Sequence, residues 1–154
     1  MTSCGNATIR SLISVLIPKV SMTDTFGLLD TSVVIDLDSL THANLPTFGK
    51  ISAITCAELS IGPLSAHHAT EKLNRIRKLW FAINQLEVLT FGIPESKSYG
   101  TLFEKLLPLG VKARGSRSLD LMIAATALAH QLPLYTRNAK DFASVNDLVE
   151  IVAV

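Results

Sequence analysis

The stretch that decides the fold is SLDLMIAATALAHQLPLYTRNAKDF, residues 118–142. Its apolar, alanine-rich run over residues 119–131 predicts a buried helix, and residues 133–136 predict a short buried strand. An acidic residue stands at each end of this unit, Asp120 near the start of the helix and Asp141 shortly after the strand. A helix that leads directly into a strand is typical of a crossover connection in a parallel sheet.

The rest of the chain alternates between strand and helix patterns in the same way. Such alternation predicts βαβ crossovers and an α/β fold, a parallel sheet with helices on both faces. In the longest helix Trp80 stands at helical spacing with Ile76 and Ile83, which predicts that it lies in the core. The predicted strands are residues 26–29, 50–54, 87–91, 133–136 and 148–152, and the predicted helices are 31–37, 56–61, 67–84, 94–107 and 119–131, with a helical turn at 139–142.

Four acidic residues come just after a strand or near a helix start in this pattern: Asp30, Glu58, Asp120 and Asp141. Parallel strands deliver their C-terminal ends to one edge of a sheet, where ligands bind. Each pair of like charges about 4 Å apart costs up to about 4 kcal/mol at an effective dielectric constant near 20. Four carboxylates at one edge therefore predict a hard divalent cation.

Each acid also has a local alternative role at a helix terminus. Asp is preferred at the N-cap, and a negative charge in the first turn favours the helix dipole. However, Ser, Thr or Asn would cap as well, so capping alone does not require four acids at one edge. The local alternatives are an N-cap at Asp30, a capping box from Thr55 to Glu58, a first-turn position for Asp120 behind Ser118, and a turn capped by Asn138 with Asp141 in its first turn.

Length and composition indicate one domain, but they give little information about binding partners. The chain has 154 residues and a formal net charge of +1, so it lacks the strongly basic balance of proteins that bind long nucleic-acid tracts. Its hydrophobic share of 48% indicates either a dense core or an apolar surface that another chain covers. Cys4 and Cys56 have no CxxC partner, so neither a disulfide framework nor a zinc site is indicated.

We assign residues 1–25 to an N-terminal extension and residues 26–154 to the domain. Ile9, Leu12, Ile13 and Leu16 predict a short amphipathic helix in the extension. A signal peptide is an alternative, but no typical cleavage site follows, and a translation start at Met22 is another. No stretch reaches the roughly 18 apolar residues of a membrane span, so we expect a cytoplasmic protein with no membrane partner.

Three segments, LLDTSVVIDL (residues 28–37), ITCAEL (54–59) and SLDLMIAATAL with PLYTRNAKDF (118–142), resemble the PIN-domain nucleases. The resemblance covers residues 26–152 and is closest to the VapC-type ribonuclease toxins of bacterial type II toxin–antitoxin pairs. It implies a PIN-like three-layer α/β/α sandwich with a five-stranded parallel sheet, metal-dependent endonucleolytic cleavage of RNA, a homodimer, and inhibition by a cognate antitoxin. It also implies that Asp30, Glu58, Asp120 and Asp141 form a Mg²⁺ site.

The residue types agree with that chemistry. Oxygen-only ligands favour Mg²⁺, or Mn²⁺, over zinc and copper. Asp30 and Asp120 are the strongest candidates for direct metal contact, with Glu58 and Asp141 completing the site and one of these two accepting a proton from water. Ser32 and Thr136 are candidates for orienting a carboxylate, and the resemblance places Asn138 nearby. The candidates for contact with RNA phosphates are Lys112, Arg114, Arg117 and Arg137.

Two other functions are compatible with parts of the sequence. VVIDLDSL, residues 33–40, resembles the strand and nucleophile motif of haloacid-dehalogenase-type phosphatases, with Asp36 as the phosphorylated residue. That reading leaves LLDTS and residues 118–142 unexplained. The other alternative is a non-catalytic binding module with the same fold, which the presence of all four acids disfavours.

Overall fold

Five strands and five α-helices form the regular structure of residues 25–110 and 115–154, the part of the chain that the computed structural model describes. The predictions for residues 1–24, for Lys112 and for Arg114 fall outside these residues. None of the helices described is long and apolar enough to cross a membrane. The elements are β1 (Phe26–Leu29), α1 (Thr31–Asp36), β2 (Phe48–Ser52), α2 (Ala53–Ile61), α3 (Ala69–Gln85), β3 (Glu87–Leu89), α4 (Ile93–Leu106), α5 (Ser116–Ala129), β4 (Leu134–Thr136) and β5 (Ile151–Ala153).

The five strands form one parallel sheet, as predicted, and the structure gives their order as β3-β2-β1-β4-β5. The central strand β1 pairs with β2 on one side and with β4 on the other. Since all five strands run in the same direction, the segments that follow β1, β2 and β4 leave the sheet at a common edge. This edge receives Asp30 directly after β1 and Thr136 at the end of β4.

Each face of the sheet is covered by its own apolar layer. Leu28 of β1 packs into a core with the buried faces of α4 and α5, including Leu102 and Ile123. The next residue, Leu29, points to the opposite face and packs with residues of α1, α2 and α3, including Val33. Successive strand side chains alternate between faces, so adjacent leucines serve both layers. The three-layer α/β/α arrangement is confirmed.

Two helices begin earlier than predicted because of residues that precede the apolar runs. Ser52 ends β2 and caps α2, since its hydroxyl accepts a hydrogen bond from the backbone N–H of Thr55 at 3.0 Å. The alternative role for Glu58, a capping box with Thr55, is therefore not found. Likewise α5 begins at Ser116, so the prediction that Asp120 lies in the first turn of its helix is also wrong.

The prediction that Trp80 lies in the core is wrong, because helix α3 buries a different stripe. Ala82 is fully buried and Leu79 packs beside it against the core. Trp80 is 66% exposed and Ile83 is 52% exposed, so they lie on the outward face. The long helix is apolar on more than one face, and spacing alone does not select the face that packs.

A buried carboxylate joins α4 to α5. Glu95, which is 4% exposed, accepts a hydrogen bond from the backbone N–H of Gly92 at 2.7 Å. Its other oxygen lies 2.9 Å from Nε2 of His130, the residue that follows α5. The Gly92 N–H, with a smaller contribution from His130, holds the pKa of the Glu95 carboxyl below its usual range. The ionised form of Glu95 therefore stabilises the packing of these two helices.

We predict that Glu95→Gln lowers the free energy of unfolding at pH 7 by about 1 kcal/mol, because a neutral amide replaces the charged acceptor of these hydrogen bonds. A carboxyl group whose pKa is lowered on folding stabilises the protein above its unfolded pKa, near pH 4, and loses this effect as the pH falls further. Urea unfolding at several pH values tests this, with the exposed Glu104→Gln on the same helix as control. Equal stabilities for the two variants at pH 7 would contradict it.

Candidate active site

Asp30 lies at the centre of the candidate site and is held by three donors. One carboxylate oxygen accepts the backbone N–H of Thr31 at 2.7 Å, so Asp30 does cap α1. The other accepts the hydroxyls of Ser32 at 2.7 Å and Thr136 at 2.8 Å. Since Ser32 belongs to α1 and Thr136 ends β4, these bonds tie the helix and two adjacent strands together around one carboxylate. Asp30 is 5% exposed, so its orientation is fixed by its neighbours.

Glu58 is joined to the same segment through Thr31. The Thr31 hydroxyl donates a short hydrogen bond to Oε2 of Glu58. Thr31 thus contacts both acids, through its backbone N–H to Asp30 and through its side chain to Glu58. Thr31 was not among the predicted site residues, although a hydroxyl residue next to an acid at a helix start is the signal that could have identified it.

Asp120 provides the clearest electrostatic signal that the four acids are close together. Its pKa is raised to about 6, first because the carboxyl group is partly buried and then because Asp30, Glu58 and Asp141 repel its negative charge. Arg117, one turn earlier on α5, acts in the opposite direction. Repulsion from all three other acids means that the four carboxylates share one electrostatic environment.

Asp141 is placed by the short 3₁₀ turn Ala139–Phe142 that follows β4. Phe142 is 2% exposed and anchors this turn in the core, while Asp141 stays exposed and lines a cleft with Asp120 and Arg117. Asn138 stands at the start of the turn, where its backbone N–H donates to the Thr136 hydroxyl at 3.0 Å. Its side chain makes no capping hydrogen bond, so the predicted side-chain cap at Asn138 is wrong.

Two of the four predicted RNA-contacting residues, Arg117 and Arg137, lie in the part of the chain that the structure describes. Arg117 is near Asp120, as described above, and Arg137 directly follows β4. The guanidinium of Arg137 forms an ion pair with Asp36. Asp36 is the last residue of a helix, α1, and not the residue after a strand. The structure therefore does not favour the phosphatase reading, which needs Asp36 at a strand end.

The acids fit a divalent cation in type and number. They supply oxygen atoms only, which are the ligands that Mg²⁺ and Mn²⁺ prefer. Burial first, and then the charges of Asp30, Glu58 and Asp141, raise the pKa of Asp120, and Arg117 offsets only part of this rise. Across residues 25–110 and 115–154, however, no three Asp, Glu, His or Cys side chains are arranged so that they could hold a metal ion as they stand.

Known proteins resemble this chain in sequence and in fold. The PIN domain family model matches residues 28–148. Ribonuclease VapC1 of Rickettsia felis is 28% identical over 131 residues, which cover 82% of this chain and 95% of the relative. A solved member of the VapBC family of toxin–antitoxin systems, VapBC-5 from Mycobacterium tuberculosis, is 31% identical with a TM-score of 0.75, covering 84% of this chain and 99% of that one. VapBC2 from R. felis, solved bound to a DNA fragment from its promoter, is 26% identical with a TM-score of 0.65, and the match covers 82% of this chain and 98% of that one.

We predict that Asp120 makes the metal-free protein less stable as the pH rises from about 4 to about 6. Its folded-state pKa is raised, so in this range the folded state binds more protons at Asp120 than the unfolded state does. Asp120→Asn should remove this slope and melt at a higher temperature than the wild type at pH 7 in EDTA.

Thermal unfolding of both proteins between pH 4.5 and 7.5 measures the difference directly. Asp38→Asn, at a side chain that is 91% exposed, is the control and should follow the wild type. A constant difference in melting temperature between wild type and Asp120→Asn across the range would show that Asp120 does not sense the other acids.

Proposed function

Because this chain belongs to the PIN domain family, we propose that it is a metal-dependent endoribonuclease of the VapC type, the toxin of a type II toxin–antitoxin pair. The observation that supports this most strongly is the coupling of Asp120 to Asp30, Glu58 and Asp141 at one edge of the sheet. Its relatives include a ribonuclease VapC1 and a VapBC toxin–antitoxin structure. We place it in the cytoplasm, where its RNA substrate is found.

We propose that Asp30 and Asp120 hold Mg²⁺ or Mn²⁺ directly and that Glu58 and Asp141 complete the site, directly or through water. A cation held by these acids would lower the pKa of a bound water and would neutralise negative charge on the phosphate in the transition state. The Thr31 hydroxyl fixes one oxygen of Glu58, so this carboxylate is oriented for proton transfer. Glu58 or Asp141 then accepts the proton of the attacking water.

Ser32 and Thr136 orient the central carboxylate in this proposal. Both hydroxyls donate to the same oxygen of Asp30, and Thr136 is fully buried. Asn138 contributes through its backbone bond to Thr136. Partners that orient a metal ligand typically change activity or affinity by about 10–100-fold when they are removed.

We propose that basic residues around the acids bind the RNA backbone. Arg117 lines the cleft with Asp120 and Asp141, and Arg137 leaves the sheet beside Asp30. Lys112 and Arg114 precede α5 in the sequence and are proposed for the same role. Arginine binds phosphate oxygens with several N–H donors at once, and such contacts position the strand without reading its bases.

A groove between α1, α2 and α3 offers a site for the antitoxin. It has a volume of about 610 Å³, and its walls include Ile35, Leu59 and Lys78. Glu58 lines the groove as well, so a chain lying in it reaches the acidic site. We propose that an antitoxin segment covers this groove and places a basic side chain near the carboxylates. Such a cation would offset the repulsion among the acids, which adds to the effect of burial in raising the pKa of Asp120.

We also propose a homodimer. Several large apolar side chains lie on the surface, among them Leu64 at 81%, Ile93 at 73% and Trp80 at 66% exposure. Exposed apolar groups of this size, when they form a contiguous patch, mark surfaces that another chain covers. We propose that the second copy covers the outward face of α3 around Trp80 and that the antitoxin covers the groove.

We predict that the purified protein cuts RNA with Mg²⁺ or Mn²⁺ and that EDTA stops it. Asp30→Asn and Asp120→Asn should abolish cleavage while the protein stays folded, because each removes a proposed metal ligand. Ser32→Ala should lower the rate by about 10–100-fold, since it removes one of the donors that orient Asp30.

A panel of cellular RNAs, incubated with protein and metal and separated on a denaturing gel, gives the rates. Asp38→Asn serves as the control and should cut like the wild type. Undiminished cutting in excess chelator, or by Asp120→Asn, would contradict the proposed site.

The toxin proposal makes a separate prediction in bacteria. Expression of the wild-type protein alone should arrest growth, and co-expression with the cognate antitoxin should restore it. Asp120→Ala should relieve the arrest and still bind the antitoxin, because the groove contacts are mainly apolar. Normal growth with abundant, folded wild-type protein would argue against a toxin but not against a nuclease.

A further inference from the structure

The ion pair between Asp36 and Arg137 joins the end of α1 to the residue that follows β4, and the proposed mechanism gives Asp36 no role. Asp36 ends α1, and Arg137 is the first residue after β4. The Arg137 side chain pairs with Asp36 through Nη1, and its backbone N–H donates to the Ser32 hydroxyl at 3.2 Å. Ser32 in turn donates to Asp30. Arg137 is therefore held at both its backbone and its guanidinium, and its backbone is tied to the central carboxylate.

Fold stability does not account for this pair. The Arg137 and Asp36 side chains are 44% and 38% exposed. Ion pairs this exposed contribute little to the free energy of unfolding. The pair nevertheless restricts the conformations of the long Arg137 side chain. This restriction reduces the entropy that the side chain loses when it binds a ligand.

The guanidinium keeps donors for a ligand while it is restrained. Arginine has five N–H donors, and Asp36 accepts a hydrogen bond from Nη1. The others can grip phosphate oxygens, for which the planar fork is well matched. An arginine already fixed by a carboxylate loses less conformational entropy when it binds a phosphate.

We propose that Asp36 is a positioning residue that holds the Arg137 guanidinium beside the carboxylate site, ready for a phosphate of the RNA backbone. The proposal rests on the ribonuclease function above. This role differs from the one in the phosphatase alternative, in which Asp36 is the nucleophile.

The proposal and simple electrostatics predict opposite effects on RNA binding when the charge of Asp36 is removed. RNA is a polyanion, so removing a negative charge from the protein near it should tighten binding. If Asp36 acts through Arg137, removing its charge should weaken binding instead. Asp38 is a matched control, because it lies two residues away, carries the same charge and is 91% exposed.

The experiment compares Asp36→Asn with Asp38→Asn in steady-state cleavage of a short single-stranded RNA with Mg²⁺. Asp36→Asn should raise KM several-fold with little change in kcat, whereas Asp38→Asn should leave KM unchanged or lower it. In an Arg137→Gln background, Asp36→Asn should have no further effect on KM, since the group it positions is gone. Asp36→Glu, which keeps the charge, should restore part of the affinity.

Two results would overturn the proposal: a KM for Asp36→Asn that falls like that of Asp38→Asn, or a KM rise that persists in the Arg137→Gln background. Melting temperatures identify any variant that fails to fold, and if Asp36→Asn does, Asp36→Ser in the same two backgrounds replaces it. Fluorescence anisotropy in EDTA measures RNA affinity without cleavage, so it separates the positioning role from the ribonuclease activity. A protein that binds RNA in an Asp36-dependent way but never cuts it would refute the ribonuclease and keep the positioning role.

Discussion

The candidate site is organised around one carboxylate, Asp30, at the end of the central strand. Its two oxygens accept three hydrogen bonds, from Thr31 and Ser32 at the start of α1 and from Thr136 at the end of β4. A buried carboxylate is costly unless such donors satisfy it, so these bonds fix where the helix and the neighbouring strand meet. The other acids reach Asp30 from elements that follow the same edge of the sheet.

Bringing four carboxylates together creates a repulsion that the fold itself only partly offsets. Asp120 shows it, because burial and three acids raise its pKa to about 6 although Arg117 lies nearby. A divalent cation, a basic side chain from a partner and a bound proton are three ways to supply the missing positive charge. In our proposal the first activates the enzyme and the second inhibits it, so catalysis and control by an antitoxin use the same electrostatic need.

The sequence predicted the layers, the sheet and the edge where the acids meet, because alternating strands and helices follow simple periodicities. It did not predict what lies between elements. Ser52 caps α2 from the end of a strand, and Trp80 faces outward from a helix with several apolar faces. Both depend on tertiary packing, which a local pattern does not contain.

In the candidate site, too, local patterns predicted some residues and missed those that depend on tertiary packing. The four acids were predicted from their positions after strands or near helix starts, but the contact of Thr31 with Glu58 and that of Asp36 with Arg137 were not predicted. These contacts join residues 27 and 101 positions apart in the chain. Only the register of β1 with β4, and the placement of α2 beside α1, brings them together.

The most direct test of the central claim is calorimetric titration of the metal-free protein with Mn²⁺ near pH 6, in two buffers with different heats of ionisation. If the acids form one site that binds a cation, Mn²⁺ should bind and release protons, because Asp120 is partly protonated at this pH. Asp120→Asn should bind more weakly and release fewer protons. Absence of binding in the wild type, or binding with identical proton release in Asp120→Asn, would contradict the account.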